Sequence, residues 1–328
     1  MARPFAESGE RIAVLGAASP AGGHVKSALA DRHVPGERVA LYGHARDVAV
    51  ISEYDGEARL VQPVGDLDAS RYGAVFVCEP GHDEGALAAA ASGGTLVVDL
   101  SGTLSGAWLA VTPEDAGDRR MVAVPHPVSL MLAPLLVALD GALGLAGVSA
   151  FVMRPAADFG PPGLEELREQ TVHLLRFEAT PTEVFERQLA FSVIPEHLFP
   201  SGDTAVGERV AAECRALVGL PDLRLAVSLA LVPTFLGHAI ALHVELVRGG
   251  VTDALAALAD VSGVVLASDP NVGTSLDAPE EPGLLVARVA SAGGGLLRLW
   301  VLASEPGAVA ATRALDVASA AGVFVNAS

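Results

Sequence analysis

The sequence predicts an α/β protein of two domains: a Rossmann-like, doubly wound parallel sheet over residues 1–128, completed by a C-terminal helix over 305–328, and an α+β domain with a mostly antiparallel sheet over 129–304. Three observations carry this. The 328 residues exceed the roughly 150 typical of one domain. The first part alternates continuous apolar runs with helix-like segments, as in a parallel sheet covered on both faces. From about Ser129 the runs lengthen and follow one another with fewer helices between them, as in an antiparallel sheet.

The elements follow in order. Ile12 to Gly16 reads as a strand, Ala21 to Asp31 as a helix, and Arg38 to Tyr42 and Gly73 to Val77 as strands. Asp83 to Ser92 is helical, and Thr95 to Ser101 and Met121 to Val124 are strands. A core helix spans Ser129 to Leu143. In the helix Leu164 to Leu175, Leu164, Leu167 and Leu174 recur at helical spacing. Another helix covers Gly207 to Gly219, and β-like runs lie at Leu223 to Pro233, His238 to Val247, Gly283 to Val289 and Leu296 to Ala303. The closing helix, Pro306 to Ala321, places Pro306 in a first turn, where its missing N–H costs nothing.

Composition removes several functions. A net charge of −18, from 39 acidic and 21 basic residues, leaves no positive face for nucleic-acid phosphates. Two cysteines, Cys78 and Cys214, supply neither a disulfide framework nor a thiolate-rich zinc site, so a reducing, cytoplasmic setting is expected. His238 and His243 are five apart in a β-like run, on opposite faces, and cannot share a metal; no metal is expected. The amino terminus, with Glu7 and Glu10, has no apolar h-region, so no signal peptide is expected. The charge-poor run Met121 to Leu139 carries Pro125, Pro127 and Pro134, which would break a spanning helix; it reads as strand, turn and core helix, and no membrane segment is expected.

The first strand runs into GAASPAGG, Gly16 to Gly23. Ser19 suits an N-cap and Pro20 a first helical position, so Gly16, Ala18, Ser19, Pro20, Ala21 and Gly22 would present free N–H groups and a helix dipole to an anion. The same residues equally describe an ordinary strand-to-helix turn. The second strand ends without the acid that would bond a ribose hydroxyl. GHARD follows, placing Arg46, and His44 beside it, where a 2′-phosphate would lie, which favours NADP over NAD; a solvated loop cation is the competing reading of Arg46.

The segments IAVLGAASPAG, VVDLSG, VMRPAADFGPPGLEELREQT, LAFSVIPEH, LVPTFLGHAIALHVEL and RLWVLASEPGAVAATRAL, in this order, resemble the landmarks of the aspartate-semialdehyde dehydrogenase family over nearly the whole chain. The resemblance implies a homodimer made through the second domain. It also implies a chemistry in which a cysteine thiolate attacks the aldehyde, a histidine acts as acid/base, hydride passes to NADP and phosphate cleaves the thioester. Matched residue by residue, most of these groups are replaced. Val128 stands where the family has its nucleophile, with Ser129 fixing the register and read as a helix-capping serine, and both thiols lie elsewhere along the chain. Arg154 replaces the orienting glutamine, Leu231 the substrate-carboxylate arginine and Ser105 the phosphate-binding arginine. Gly207 falls near the substrate-holding acid, with Arg209 at its lysine, and Glu305 replaces the asparagine that meets the nicotinamide. His238, after Gly237, keeps the place of the acid/base histidine, though without a nucleophile it has no proton to take; a satisfied core histidine is the competing reading.

The expectation is therefore an aspartate-semialdehyde dehydrogenase-like protein without the thioester-forming activity that retains NADP or a small anionic ligand. Two alternatives stand beside it: an NADP-dependent oxidoreductase of different chemistry using His238 and Arg154, and a non-catalytic subunit pairing with an active paralogue. Arg154 with Asp158 forms either a new polar site or a simple ion pair.

Overall fold

The structure, a computed structural model, describes residues 11–44, 51–200 and 205–323. They form two compact units, one of residues 11–126 with 307–323, the other within Pro127–Pro306.

The first unit contains β1 (Ile12–Leu15), α1 (Pro20–Asp31), β2 (Val39–Gly43), β3 (Ile51–Tyr54), β4 (Glu57–Leu60), β5 (Gln62–Pro63), β6 (Ala74–Val77), α2 (Glu84–Ser92), β7 (Leu96–Asp99), β8 (Trp108–Leu109) and β9 (Met121–Ala123). Seven strands pair, all parallel, in the order β5-β2-β1-β6-β7-β9-β8. β1, β2, β6 and β7 are buried at every position, which is why their sequences are unbroken apolar runs instead of alternating ones. The helix α7 (Pro306–Ala320) belongs to this unit from Gly307 onward, and its Asp316 meets Arg32, at the end of α1, at 2.6 Å. The Tyr42 and Tyr72 hydroxyls bond at 2.7 Å with their rings edge to face, so both phenols are satisfied inside the core.

The second unit contains α3 (Pro127–Leu143), β10 (Leu145–Arg154), α4 (Gly160–Leu175), β11 (Ile194–Pro195), α5 (Val206–Val218), β12 (Leu225–Leu231), β13 (His238–Leu246), α6 (Val251–Ala259), β14 (Val264–Leu266), β15 (Gly283–Gly293) and β16 (Leu296–Ser304). Its sheet has the order β11-β12-β10-β13-β16-β15-β14; the β10–β12 and β14–β15 pairs are parallel and the rest antiparallel. Burial alternates along β10 and β13, so Val148, Ala150, Val152, Ile240, Leu242 and Val244 share one face with Leu132, Leu135, Leu136 and Leu139 of α3 in one core. Each such leucine, fully buried, stabilises the fold by about 1.5–3 kcal/mol.

The predicted fold class is the one observed. Element ends shift by a few residues: α4 starts at Gly160 because Pro161 and Pro162 fit a first turn. Pro134 does not end α3; the helix runs through it, forgoing the bond to the Leu130 carbonyl inside an apolar environment. The β3–β4 hairpin was not anticipated, although its turn, Asp55-Gly56, with φ of 51° and 75°, has the Asp-Gly signature of such turns. The two- and three-residue strands β5, β8, β11 and β14 carry too little sequence to show a period. Among the described residues no helix is long and apolar enough to cross a membrane.

Candidate functional site

The loop between β1 and α1 has the capping geometry expected of it. Ser19 Oγ accepts from the Gly22 N–H at 3.0 Å and donates to Gly16 O at 2.7 Å, and Pro20 opens the helix. A Cβ on Gly22 would lie 2.1 Å from the Gly16 carbonyl, so only glycine lets the helix sit this close to the loop. Gly16 and Ala17 donate to Tyr42 O, Ser19 to Gly16 O and Gly23 to Ser19 O. The N–H groups of Ala18 and Ala21 find no acceptor among the described residues. Two unpaired donors at a helix N-terminus fit a phosphate. Arg46 lies outside the described residues.

Beside this loop, at the carboxyl ends of β2 and β6, three side chains converge that no sequence spacing brings together. His44 and His82 stack with ring centroids 5.0 Å apart and planes within 7°, and His44 Nε2 lies 3.7 Å from Glu79 Oε1 and 3.0 Å from the Pro80 carbonyl. One ligand-type atom from each of His44, Glu79 and His82 falls within 4.8 Å of the others. Burial, together with the neighbouring His44, pushes the His82 imidazole down to about 4, so it is neutral at pH 7. The Glu79 side chain lies over Gly16: a Cβ there would meet Glu79 Cγ at 2.6 Å.

In the second unit, Val128 is in the first turn of α3, 1% exposed and part of the apolar core. Ser129 is not a cap, because the helix begins at Pro127; it is fully buried and donates to Glu213 Oε2 of α5 at 2.6 Å. Arg209, one turn earlier on α5, approaches Glu213 at 3.9 Å. Cys214, though 85 residues from Ser129 along the chain, comes back in space: its Sγ is 4.0 Å from the Ser129 carbonyl, because α5 packs on α3. Burial, then the neighbouring Glu213, pushes the Cys214 thiol up to about 12, so it is protonated and unreactive at neutral pH. Cys78 is buried at the end of β6, and burial pushes its thiol up as well.

Arg154, at the end of β10, and His238, at the start of β13, both meet Asp158. Arg154 Nε donates to Asp158 Oδ2 at 2.6 Å, and His238 Nε2 lies 3.0 Å from Oδ1 and 3.1 Å from Oδ2. The turn carrying Asp158 is held by bonds from the Ala156 and Ala157 N–H groups to the Thr234 and Phe235 carbonyls. Gly237 aims the histidine: its φ is +78°, and a Cβ would lie 2.2 Å from the Ser275 carbonyl. Burial alone would push the Asp158 carboxyl up, but His238 and Arg154 hold it well below the usual carboxylate range. His238 is 3% exposed, and Asp158 meets one of its ring nitrogens.

Leu231 is fully buried in β12. Gly207 faces the Val227 carbonyl, which a Cβ would approach to 2.3 Å, so no longer side chain fits there. Ser105 is exposed and its N–H donates to Glu84. Glu305 is exposed with φ +41°, and His243, on the opposite face from His238, lines an open cavity of about 340 Å³ with Arg288, Arg298 and Trp300.

Comparisons with known proteins agree with this plan. Residues 133–304, slightly more than half of the chain, match the family model "Semialdehyde dehydrogenase, dimerisation domain". An aspartate-semialdehyde dehydrogenase 2 of Vibrio cholerae is 25% identical, the match covering 94% of this chain and 96% of that protein. A crystal structure of aspartate semialdehyde dehydrogenase II complexed with ASA, also from Vibrio cholerae, superposes with a TM-score of 0.81 at 25% identity, covering 95% of this chain and 97% of that one. The enzyme from Candida albicans with NADP shares the fold, with a TM-score of 0.66 at 13% identity over 96% of this chain and 99% of that one. The chain belongs to the semialdehyde dehydrogenase family, with aspartate-semialdehyde dehydrogenases as its full-length relatives.

Proposed function

We propose that this protein keeps the scaffold of an aspartate-semialdehyde dehydrogenase without its thioester-forming step, retains a phosphate site in the first unit for NADP or another anionic ligand, and forms a homodimer through the second unit. The observation that carries the reading is Val128: a branched alkyl group, 1% exposed in the core, at the position that matches the family's nucleophile. Cys214, whose Sγ lies 4.0 Å from the Ser129 carbonyl, is fully buried and protonated at neutral pH, so it does not supply the missing thiolate. Leu231 and Ser105 provide no cation for a carboxylate or a phosphate. Groups that act as a unit lose their effect together.

NADP, when bound, supplies the hydride acceptor. The residues that would hold its phosphate are Ala18 and Ala21 through their N–H groups, in a loop shaped by Gly16, Ser19, Pro20 and Gly22. The family model of the matched region, a dimerisation domain, supports the homodimer. Two measurements test the proposal. Purified protein incubated with aspartate semialdehyde, NADP and inorganic phosphate is expected to form no NADPH above background; phosphate-dependent formation overturns the loss of activity. Calorimetric titration is expected to show NADP binding that is weakened in Gly22→Val, and no binding at millimolar cofactor overturns the phosphate site.

One observation favours a second reading, an oxidoreductase that forms no thioester: Asp158 bridges Arg154 and His238 where the resemblance implies a neutral amide. That reading requires hydride transfer to a carbonyl compound that is lost in His238→Ala, and full activity in that variant sinks it.

A further inference from the structure

We propose that His44, Glu79 and His82 bind a divalent transition-metal ion of the Zn²⁺ class beside the phosphate loop. The three residues sit at the carboxyl ends of β2 and β6, the neighbours of β1 on either side, so the fold gathers them at the point where a doubly wound sheet opens its binding crevice. Two imidazoles and a carboxylate form the donor set of three-ligand zinc sites, which keep a fourth position for water or an anion. Bonds of about 2.0–2.1 Å at tetrahedral angles place ligand atoms about 3.3 Å apart. The three atoms here all lie within 4.8 Å, and the His44–Glu79 pair is already at 3.7 Å. Coordination requires these atoms to close by up to about 1.5 Å.

A second observation points to an ion. Both ring nitrogens of His82 are buried and have no hydrogen-bond partner among the described residues, although the ring stacks on that of His44. A half-buried imidazole whose two shielded nitrogens are both unsatisfied is an uncompensated cost to the fold, and a coordinated cation removes it. His44 Nε2, the nitrogen that faces Glu79, also lies 3.0 Å from the Pro80 carbonyl, so coordination through it would take the place of that contact. Glu79, 7% exposed, packs its side chain against Gly16 of the loop. A cation held there offsets the carboxylate charge beside a site otherwise suited to anions.

The test uses the full chain, untagged and freed of metal by chelator, titrated with Zn²⁺ in a calorimeter and with Co²⁺ followed by its visible absorption. The expected result is one strong site per chain, with the intense visible bands of tetrahedral Co²⁺. Affinity should fall at least tenfold in Glu79→Gln and in His82→Ala, and stay unchanged in His243→Ala, which removes a histidine from the other unit. Thermal unfolding of the metal-free variants serves as the folding check, and the conservative Glu79→Gln keeps the test valid if His82→Ala fails to fold. Binding of equal strength in wild type and Glu79→Gln, or none at micromolar Zn²⁺, overturns the proposal. NADP titration of the metal-free protein separates this site from the phosphate loop, since the metal site stands whether or not the cofactor binds.

Discussion

Replacing Asp158 by asparagine removes one negative charge from between Arg154 and His238 without changing the side-chain shape. In the wild type the carboxylate accepts from Arg154 Nε at 2.6 Å and meets His238 Nε2 at 3.0 Å, with the Asp158 side chain 16% exposed and that of His238 3%. Hydrogen bonds to charged groups contribute about 1.5–3 kcal/mol each, against about 1 kcal/mol for a neutral one. The amide oxygen still accepts from the Arg154 guanidinium but without the attraction of opposite charges, and the guanidinium, 17% exposed, recovers part of its hydration, so the net loss at pH 7 is about 2–4 kcal/mol. For a unit of this size that corresponds to a fall in Tm of roughly 5–12 °C. Because Asp158 is held below its unfolded value, its contribution is complete above that value, about 3.9, and fades as pH falls through and below it. By pH 3 the gap between wild type and variant should narrow by about 1 kcal/mol. The assay is thermal unfolding followed by the fluorescence of Trp300, in a Trp108→Phe background so that the signal reports the second unit. A fall below about 2 °C at pH 7, or a gap that stays constant from pH 7 to pH 3, would refute the reasoning.

Three further outcomes follow from the same geometry. Neither Cys78 nor Cys214 should react with Ellman's reagent in the native protein, and both should titrate after denaturation; a fast-reacting thiol in native buffer contradicts the burial that holds them protonated. Gly237→Ala should cost about 2–4 kcal/mol, from left-handed backbone strain of about 1–2 kcal/mol plus the clash with the Ser275 carbonyl, read as a lower urea midpoint. Gln170→Ala should cost about 3–5 kcal/mol, because the Leu189 and Ala190 N–H groups and the Pro181 and Arg187 carbonyls all lose a buried partner. Hydrogen exchange at Leu189 and Ala190 should accelerate in that variant while the amides of β10 stay protected.

On the proposed reading, the buried core of the second unit makes a single substitution at Val128 a poor route to thioester-forming activity. The side chain lies inside the apolar cluster, and Val128→Cys would place a thiol where burial opposes its ionisation. The absence of a cation at Leu231 and Ser105 is independent of that change.

Much of the architecture was legible along the chain because its cause is local. Unbroken runs such as AVFV and LVVD signal strands buried on both faces, and Ser19-Pro20 signals a helix start; neither needs a distant partner to be read. The order of motifs, with Val128, Arg154 and Leu231 at positions where the resemblance implies other groups, is likewise a property of sequence. The site was less legible. Asp158 was paired with Arg154 from its spacing, but the approach of His238 to the same carboxylate depends on antiparallel pairing between β10 and β13. Cys214 comes against Ser129 because α5 packs on α3, and Ser129 gives up a capping role for the buried Glu213. His44, Glu79 and His82 meet because β2 and β6 flank β1 in a parallel sheet, an order that no local pattern encodes. Strand and helix come from interactions within a few residues, which the sequence carries on its face; groups of charged and ligating side chains come from which elements lie side by side, and that is settled by burying the apolar faces of the whole unit together.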